Sequence, residues 1–338
     1  MYKVLHIHPL RKCNLQCLHC YTSSSPQATE ELDIRILRQA IADAAQEGYT
    51  MLGVSGGEPM LYKSLEELLE AAHCHQMKTS VVSNGILLTK KRLSRLQGLV
   101  DIIAISLDGR PKLHDRMRNQ PDAFSSMEAR LSGLRQSGIP FGFVFTISRY
   151  NFRDLDWAVD FALKHRARLI RFHLLEEAGR AKQNLPDAEL DETIAAYVYL
   201  QIERLQKRVG DRLNIHVDLV HQEAIRANQE RFQMLDKGAY LADLPLAELI
   251  SALVIETDGS VVPLQHGMPR KYKLGNIKDS SIKQLASQWR DKQSDDFREL
   301  YQQAYQNLLE PSEFPIKNYF QSIYQQAVNN EQNERVTV

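Results

Sequence analysis

Residues 3–20 read KVLHIHPLRKCNLQCLHC. Lys3–His8 is short and mostly aliphatic or ring-bearing, as a strand buried on both faces should be. Three cysteines follow within eight residues, as Cys13-x3-Cys17-x2-Cys20. Asn14, Gln16 and His19 lie among them, so nothing keeps the segment helical. A short loop of this kind can wrap three thiolates around one small object.

The next segments repeat the first strand. Thr50–Val54, Lys78–Ser83, Asp101–Leu107, Phe141–Ile147 and Arg168–Leu174 are likewise short and rich in Val, Ile, Leu or Phe. Helices fit between them. Ile34, Leu37, Ile41 and Ala44 recur at helical spacing, and so do Leu65, Leu68, Leu69 and Ala72. Leu88–Leu96, Phe124–Arg135 and Leu155–Lys164 supply three more, with Gly98 and Gly138-Ile139-Pro140 at the turns. Six βα units in series predict an α/β fold with a parallel sheet and right-handed crossovers. The sheet is either open and doubly wound or a curved partial barrel, and periodicity does not separate the two.

Near residue 175 the pattern changes. Asp187–Arg208 reads as one long helix closed by Gly210, and RLNIHVDL (212–219) as a strand. Leu253–Thr257 and Val261–Leu264 flank Asp258-Gly259, a hairpin turn signal. Ser281–Arg290, Asp296–Leu309 and Ile316–Val328 are expected helices, and the polar end from residue 329 is expected to fray. The expected division is 1–185 for the main α/β core, 186–250 for a connecting region, 251–292 for a small module and 293–338 for C-terminal helices and tail.

The chain has 338 residues, 43% hydrophobic and 25% charged, with 42 basic and 42 acidic side chains. Zero net charge offers no global field for nucleic acid or a membrane surface. No apolar run reaches the ~18 residues of a membrane span, and the first residues lack a signal peptide, so a cytoplasmic location is expected. Of four cysteines only Cys74 stands outside the trio; on its apolar helix it reads as a small core residue. His6 and His8 alternate along the first strand and read as packing residues. A tight trio suits metal ligation in a reducing compartment rather than a disulfide scaffold.

Two centres suit three thiolates. A structural zinc takes four ligands, and His19 would strain to be the fourth beside Cys20. A 4Fe–4S cluster also has four corners and prefers thiolates; three cysteines leave one iron open, as a catalytic centre requires. The second strand ends in Ser55-Gly56-Gly57-Glu58-Pro59, where adjacent glycines permit close backbone approach and Glu58 brings a carboxylate to the strand's C-terminal edge. The bland alternative is a capped turn. Ser83-Asn84-Gly85 and Ser106-Leu107-Asp108-Gly109 end the third and fourth strands at the same edge. The i, i+2 spacing of Ser106 and Asp108 points both to one face.

The trio after a first strand, followed by Tyr21, together with Gly56-Gly57-Glu58-Pro59, resembles the radical S-adenosylmethionine (SAM) superfamily. The resemblance implies a partial (βα)6 TIM-like barrel. It implies one 4Fe–4S cluster on Cys13, Cys17 and Cys20, and SAM cleaved to a 5′-deoxyadenosyl radical. It places Gly56, Gly57 and Glu58 at the methionyl amino group of SAM, and Ser83, Asn84, Ser106 and Asp108 along the ribose and methionyl part. The segment RPKLHDRMR (110–118) looks like the family's loop after the fourth strand. Arg118, with Arg116 as fallback, is then the partner of the SAM carboxylate, a task that suits a planar fork. Thr146, and Arg180 after Gly179, are implied near SAM or substrate.

Residues 253–291 resemble the C-terminal module of SPASM and twitch radical SAM enzymes, through Asp258-Gly259, Pro263, Leu274-Gly275-Asn276-Ile277 and Trp289. Leu264 stands at the cysteine position, so auxiliary clusters are not expected there. This resemblance implies maturation of a ribosomally made precursor peptide, for example by backbone splicing or epimerisation. With ~12 residues before Cys13, a small separate leader-peptide-recognition protein is expected. An external one-electron donor of flavodoxin or ferredoxin type is expected too. The alternatives are a radical SAM enzyme for a small metabolite and a non-enzymatic zinc protein.

Overall fold

The computed structural model describes residues 3–229 and 244–336, with the backbone alone at 334–336. Part of the expected connecting region, 230–243, and the last two residues of the tail lie outside the described residues.

Six strands carry the frame: β1 (Val4–Ile7), β2 (Met51–Val54), β3 (Lys78–Ser83), β4 (Ile102–Leu107), β5 (Phe141–Ile147) and β6 (Leu169–Leu174). Each lies within a residue or two of its expected range. They pair in chain order, all parallel. Helices α1 (Ile34–Gln46), α2 (Leu65–Cys74), α3 (Lys90–Leu96), α4 (Pro111–Arg118), α5 (Ala123–Ser137) and α6 (Leu155–Lys164) occupy the crossovers. Aliphatic and Phe side chains on one sheet face, such as Ile103, Ile105, Phe143, Phe145, Ile170 and Phe172, are fully buried against these helices. The alternate residues, among them Ser106 and Thr146, are only half-buried and face the other way. One face packs on helices and the other lines a polar lumen, as in a partial TIM-like barrel.

Among the described residues four further strands extend the sheet, one of them the two-residue Gly275–Asn276 at its edge. β7 (Asn214–Val217) pairs parallel with β6. β8 (Leu219–His221) leaves the barrel at Asp218 and pairs instead with a late strand, Ile316–Asn318. The expected single strand over 212–219 is thus two. β9 (Ala252–Ile255) pairs parallel with β1, and β10 (Ser260–Pro263) folds back antiparallel on β9. The hairpin is therefore continuous with the barrel's own sheet.

Several expectations need correcting. The segment 110–118, read as a loop, is helix α4: Pro111 sits at its first turn and Asn119 ends it in a left-handed conformation, both good boundary residues. The helix expected from Asp187 starts at Glu192, after Asp191 caps the Ile194 amide. Residue 316 begins a short strand, and the last helix runs Tyr319–Val336 instead of ending at 328. Cys74 is exposed, not core, because two residues beyond Ala72 is the far side of α2.

Candidate functional site

The cysteine loop lies across the carboxyl ends of β1 and β2, held by backbone on both sides. Gly57 N–H donates to Leu10 O (2.9 Å) and Glu58 N–H to Lys12 O (3.0 Å). A Cβ on Gly57 would stand 2.1 Å from Lys12 O, so this position requires glycine. Gly56, at φ +98°, backs onto His8. The glycine pair thus admits the chain's own cysteine loop. From the other side, Arg180 N–H donates to Cys20 O (3.0 Å) and its Nε to Cys17 O (2.9 Å). Gly179 passes so close that a Cβ would meet Cys20 O at 2.4 Å.

All three thiols are free, and each sulfur has a polar neighbour. Leu15 N–H lies 3.4 Å and Asn84 Nδ2 4.0 Å from Cys13 Sγ. Arg118 Nη1 lies 3.7 Å from Cys17 Sγ, and Thr22 Oγ1 3.3 Å from Cys20 Sγ. Burial pushes the Cys13 thiol up to about 12, and burial raises Cys17 despite the Arg118 charge. Thiolates here are costly alone and become stable once bound to metal, which deprotonates a coordinating thiol. N–H groups aimed at the sulfurs are what an iron–sulfur cluster uses to set its potential. Among the described residues no three His, Cys, Asp or Glu side chains converge on a single ion. A cubane offers each sulfur its own iron and does not require that convergence.

Glu58 is 1% exposed. Its carboxylate accepts from Met60 N–H (3.1 Å), Ser83 Oγ (2.8 Å) and Asn84 N–H (2.9 Å). Burial still raises its pKa against these donors. It ties the end of β2 to the end of β3. Asn84 in turn donates to Asn14 Oδ1 (2.8 Å) inside the cysteine loop.

Asp108 is fully buried one residue beyond β4. Arg118 Nε is 2.6 Å from its Oδ2, and His19 Nε2 is 3.5 Å from its Oδ1. The Arg118 contact is a close ion pair and not an aligned hydrogen bond. Burial opposes ionisation of Asp108, but Arg118 and the two histidines outweigh it and hold its carboxyl low. Arg118, the expected partner of the SAM carboxylate, is thus engaged by Asp108 and Cys17. Arg116 is exposed and lies over the Tyr150 ring. Ser106 and Thr146 are half-buried on the lumen face. Asn151, 1% exposed, donates to Asp108 O (2.9 Å) and Thr146 O (2.8 Å), stapling the ends of β4 and β5.

Sequence reading missed the Asp108–Arg118–His19 group as a unit, because Arg118 reaches Asp108 only once 110–118 is helical. It also missed Glu256 and His266, which follow β9 and β10 at the same end of the barrel. His266 lies 5.2 Å from His8 and 5.3 Å from Tyr21 between ring centroids. Nothing in the sequence flagged Glu256 beyond its place before the Asp258-Gly259 turn.

A parallel α/β barrel that gathers three cysteines at the carboxyl ends of its strands defines a class of protein built around a thiolate-held cluster. Residues 7–162 match the model of the radical SAM superfamily. That segment is a radical SAM domain, and its cofactors are one 4Fe–4S cluster and SAM. It is 32% identical over 200 residues to Fe-coproporphyrin III synthase of Methanosarcina barkeri, covering 58% of this chain and 50% of that protein. It is 26% identical over 277 residues to the sporulation killing factor maturation protein SkfB of Bacillus subtilis, covering 81% and 62%. The chain thus spans between half and two thirds of these relatives' lengths. Its fold is similar to that of Streptococcus suis SuiB bound to its precursor peptide SuiA, with TM-score 0.67 at 15% identity over 88% of this chain and 67% of that one. No described helix is long and apolar enough to cross a membrane.

Proposed function

We propose that this chain is a radical SAM enzyme that modifies a ribosomally synthesised precursor peptide, by backbone splicing or epimerisation. The observation that carries the reading is the cysteine loop itself: three buried or half-buried sulfurs, each with a polar neighbour, at the open end of a lumen. Cys13, Cys17 and Cys20 would hold the cluster, with SAM beside it at the open end of the lumen. When bound, the two would supply the one-electron cleavage that yields a hydrogen-abstracting 5′-deoxyadenosyl radical.

The chain's residues position and shield that chemistry. Gly57 and Arg180 fix the cysteine loop, and Glu58 and Asn84 fix the neighbouring strand ends. Ser106 and Thr146 offer hydroxyls to SAM from the lumen face. Ser83, Asp108 and Arg118 act behind this layer, by holding strand ends and by placing a cation beside Cys17. Support for a peptide substrate comes from the likeness to SkfB and to the SuiB fold. A separate leader-recognition protein and an external flavodoxin- or ferredoxin-type donor belong to this reading.

The test is anaerobic incubation with SAM, reductant and peptides encoded near the gene, read by mass spectrometry. A modified peptide and 5′-deoxyadenosine are expected; wild-type protein that releases no 5′-deoxyadenosine would overturn the reading. The second reading is a small-metabolite substrate, favoured by the likeness to Fe-coproporphyrin III synthase. Turnover of a porphyrin with every peptide left unchanged would establish it instead.

A further inference from the structure

Across the lumen from β4, the β9–β10 hairpin presents a histidine that the cluster chemistry does not use. After β10 the chain turns through Leu264 at φ +66° and Gly267 at φ +77°. A leucine in the left-handed region costs about 1–3 kcal/mol, and such strain persists only where surrounding structure imposes it. This turn carries Gln265 and His266 back toward the end of β9. There His266 Nδ1 lies 3.0 Å from Glu256 Oε1.

Glu256 is 3% exposed. It accepts from Gly267 N–H (2.8 Å) and from Arg270 Nη1 (2.6 Å), whereas the His266 Nδ1 contact is close but not an aligned hydrogen bond. Burial works against its ionisation, but His266, the Gly267 amide and Arg270 outweigh it and set the carboxyl at about 2. A permanently charged carboxylate facing Nδ1 orients the imidazole and leaves Nε2 for another partner. The other groups facing His266 are His8 from β1 and Tyr21 from the cysteine loop, with Tyr21 Oη 3.4 Å from His8 Nε2. Burial and the nearby His266 and His6 keep His8 well below the usual histidine range, so it adds no competing charge. Gln265 beside it reaches Glu176 Oε2 at 3.5 Å. His266 is partly accessible, with 26% of its side chain exposed, and its ring packs directly on Tyr21, the residue that follows Cys20.

We propose that His266, held beside Glu256, is the catalytic residue that exchanges a proton with the substrate beside the site of radical formation. The inference rests on the reading of the preceding subsection. In the step, a polar bond between hydrogen and a heteroatom of the substrate breaks, its proton moves to Nε2, and the electron pair stays on the heteroatom. Glu256 stabilises the imidazolium, and no oxidant or reductant is consumed. Glu256 is a positioning residue, since it acts through His266.

The experiment compares wild type, His266→Gly, His266→Gln and Glu256→Gln with SAM, reductant and the precursor peptides encoded near the gene. Modified peptide and 5′-deoxyadenosine are measured in the same reaction, and thermal melting confirms folding. Product per 5′-deoxyadenosine should fall about 100-fold in His266→Gly, the low end of general acid–base contributions. Added imidazole should restore at least about a tenth of it, as it would for a missing proton carrier and not for a missing packing group. His266→Gln should resist rescue because its side chain fills the gap. Glu256→Gln should give a smaller loss and a shifted pH profile. An unchanged product ratio in His266→Gly, or a loss that imidazole leaves untouched in folded protein, would overturn the assignment. A wild type that releases 5′-deoxyadenosine but modifies no peptide would remove the peptide reading and this site with it. A wild type that releases none overturns the radical SAM reading and, with it, this assignment.

Discussion

Two walls of strand ends border the lumen, and they spend their charged groups differently. On the wall built from the ends of β1 to β4, every carboxylate is engaged inside the protein. Glu58 takes three donors, and Asp108 takes Arg118 and His19. On the wall built from β6, β7, β9 and β10, two carboxylates stand beside histidines: Glu256 beside His266 and Asp218 beside His173. The first wall is a holder that fixes sulfur positions. The second can meet substrates of different shape, since it presents acid–base groups and not backbone braces.

The sharpest way to break this comparison is at the sulfurs. Cys17→Ala should abolish cluster loading and 5′-deoxyadenosine release, whereas Cys74→Ser, exposed on α2, should leave both at wild-type level. Anaerobic iron analysis and chromatography check this. Next, Asp108→Ala leaves Arg118 buried without its partner and should cost about 3–5 kcal/mol of stability, measured by urea unfolding. A cost under about 1 kcal/mol would mean the first wall is not braced as described. Gly57→Ala forces a Cβ against Lys12 O and should cost about 2–4 kcal/mol, with lower iron content, because the cysteine loop must shift.

The smallest effect is a pH dependence. His114, 1% exposed, packs behind Asp108 and accepts from the Asp108 amide (3.3 Å). Burial lowers it to about 4, with Arg118 adding to the drop and Asp108 opposing it. The folded state therefore favours the neutral ring. Its contribution is fully present above about pH 6.5 and is lost as pH falls toward about 4, by up to about 3 kcal/mol. Unfolding curves between these limits should flatten in His114→Gln. An unchanged slope would place His114 outside the brace.

Much of the frame was legible because buried parallel strands are short, apolar runs of fixed length. The ranges of β3 and β5 and of α6 coincide with those read from the residues. Less was legible where a segment's state depends on distant partners. Helix α4 was hidden because its residues are polar and its buried face, His114, Met117 and Arg118, is matched to Asp108 and the cysteine loop. Cys74 looked like core because its neighbours are apolar, although the helical phase turns it outward.

The order of residues alone determined that three thiolates lie together, that glycines stand beside them and that strands and helices alternate, since spacing and side-chain volume are local properties. Only the folded chain decided which charges cancel. Glu58, Asp108 and Arg118 face the interior of the first wall, whereas Glu256 and His266, more than 230 residues after Cys13, join the same lumen. The physical reason is the parallel pairing of β9 with β1, a long-range contact that the local pattern of residues does not reveal.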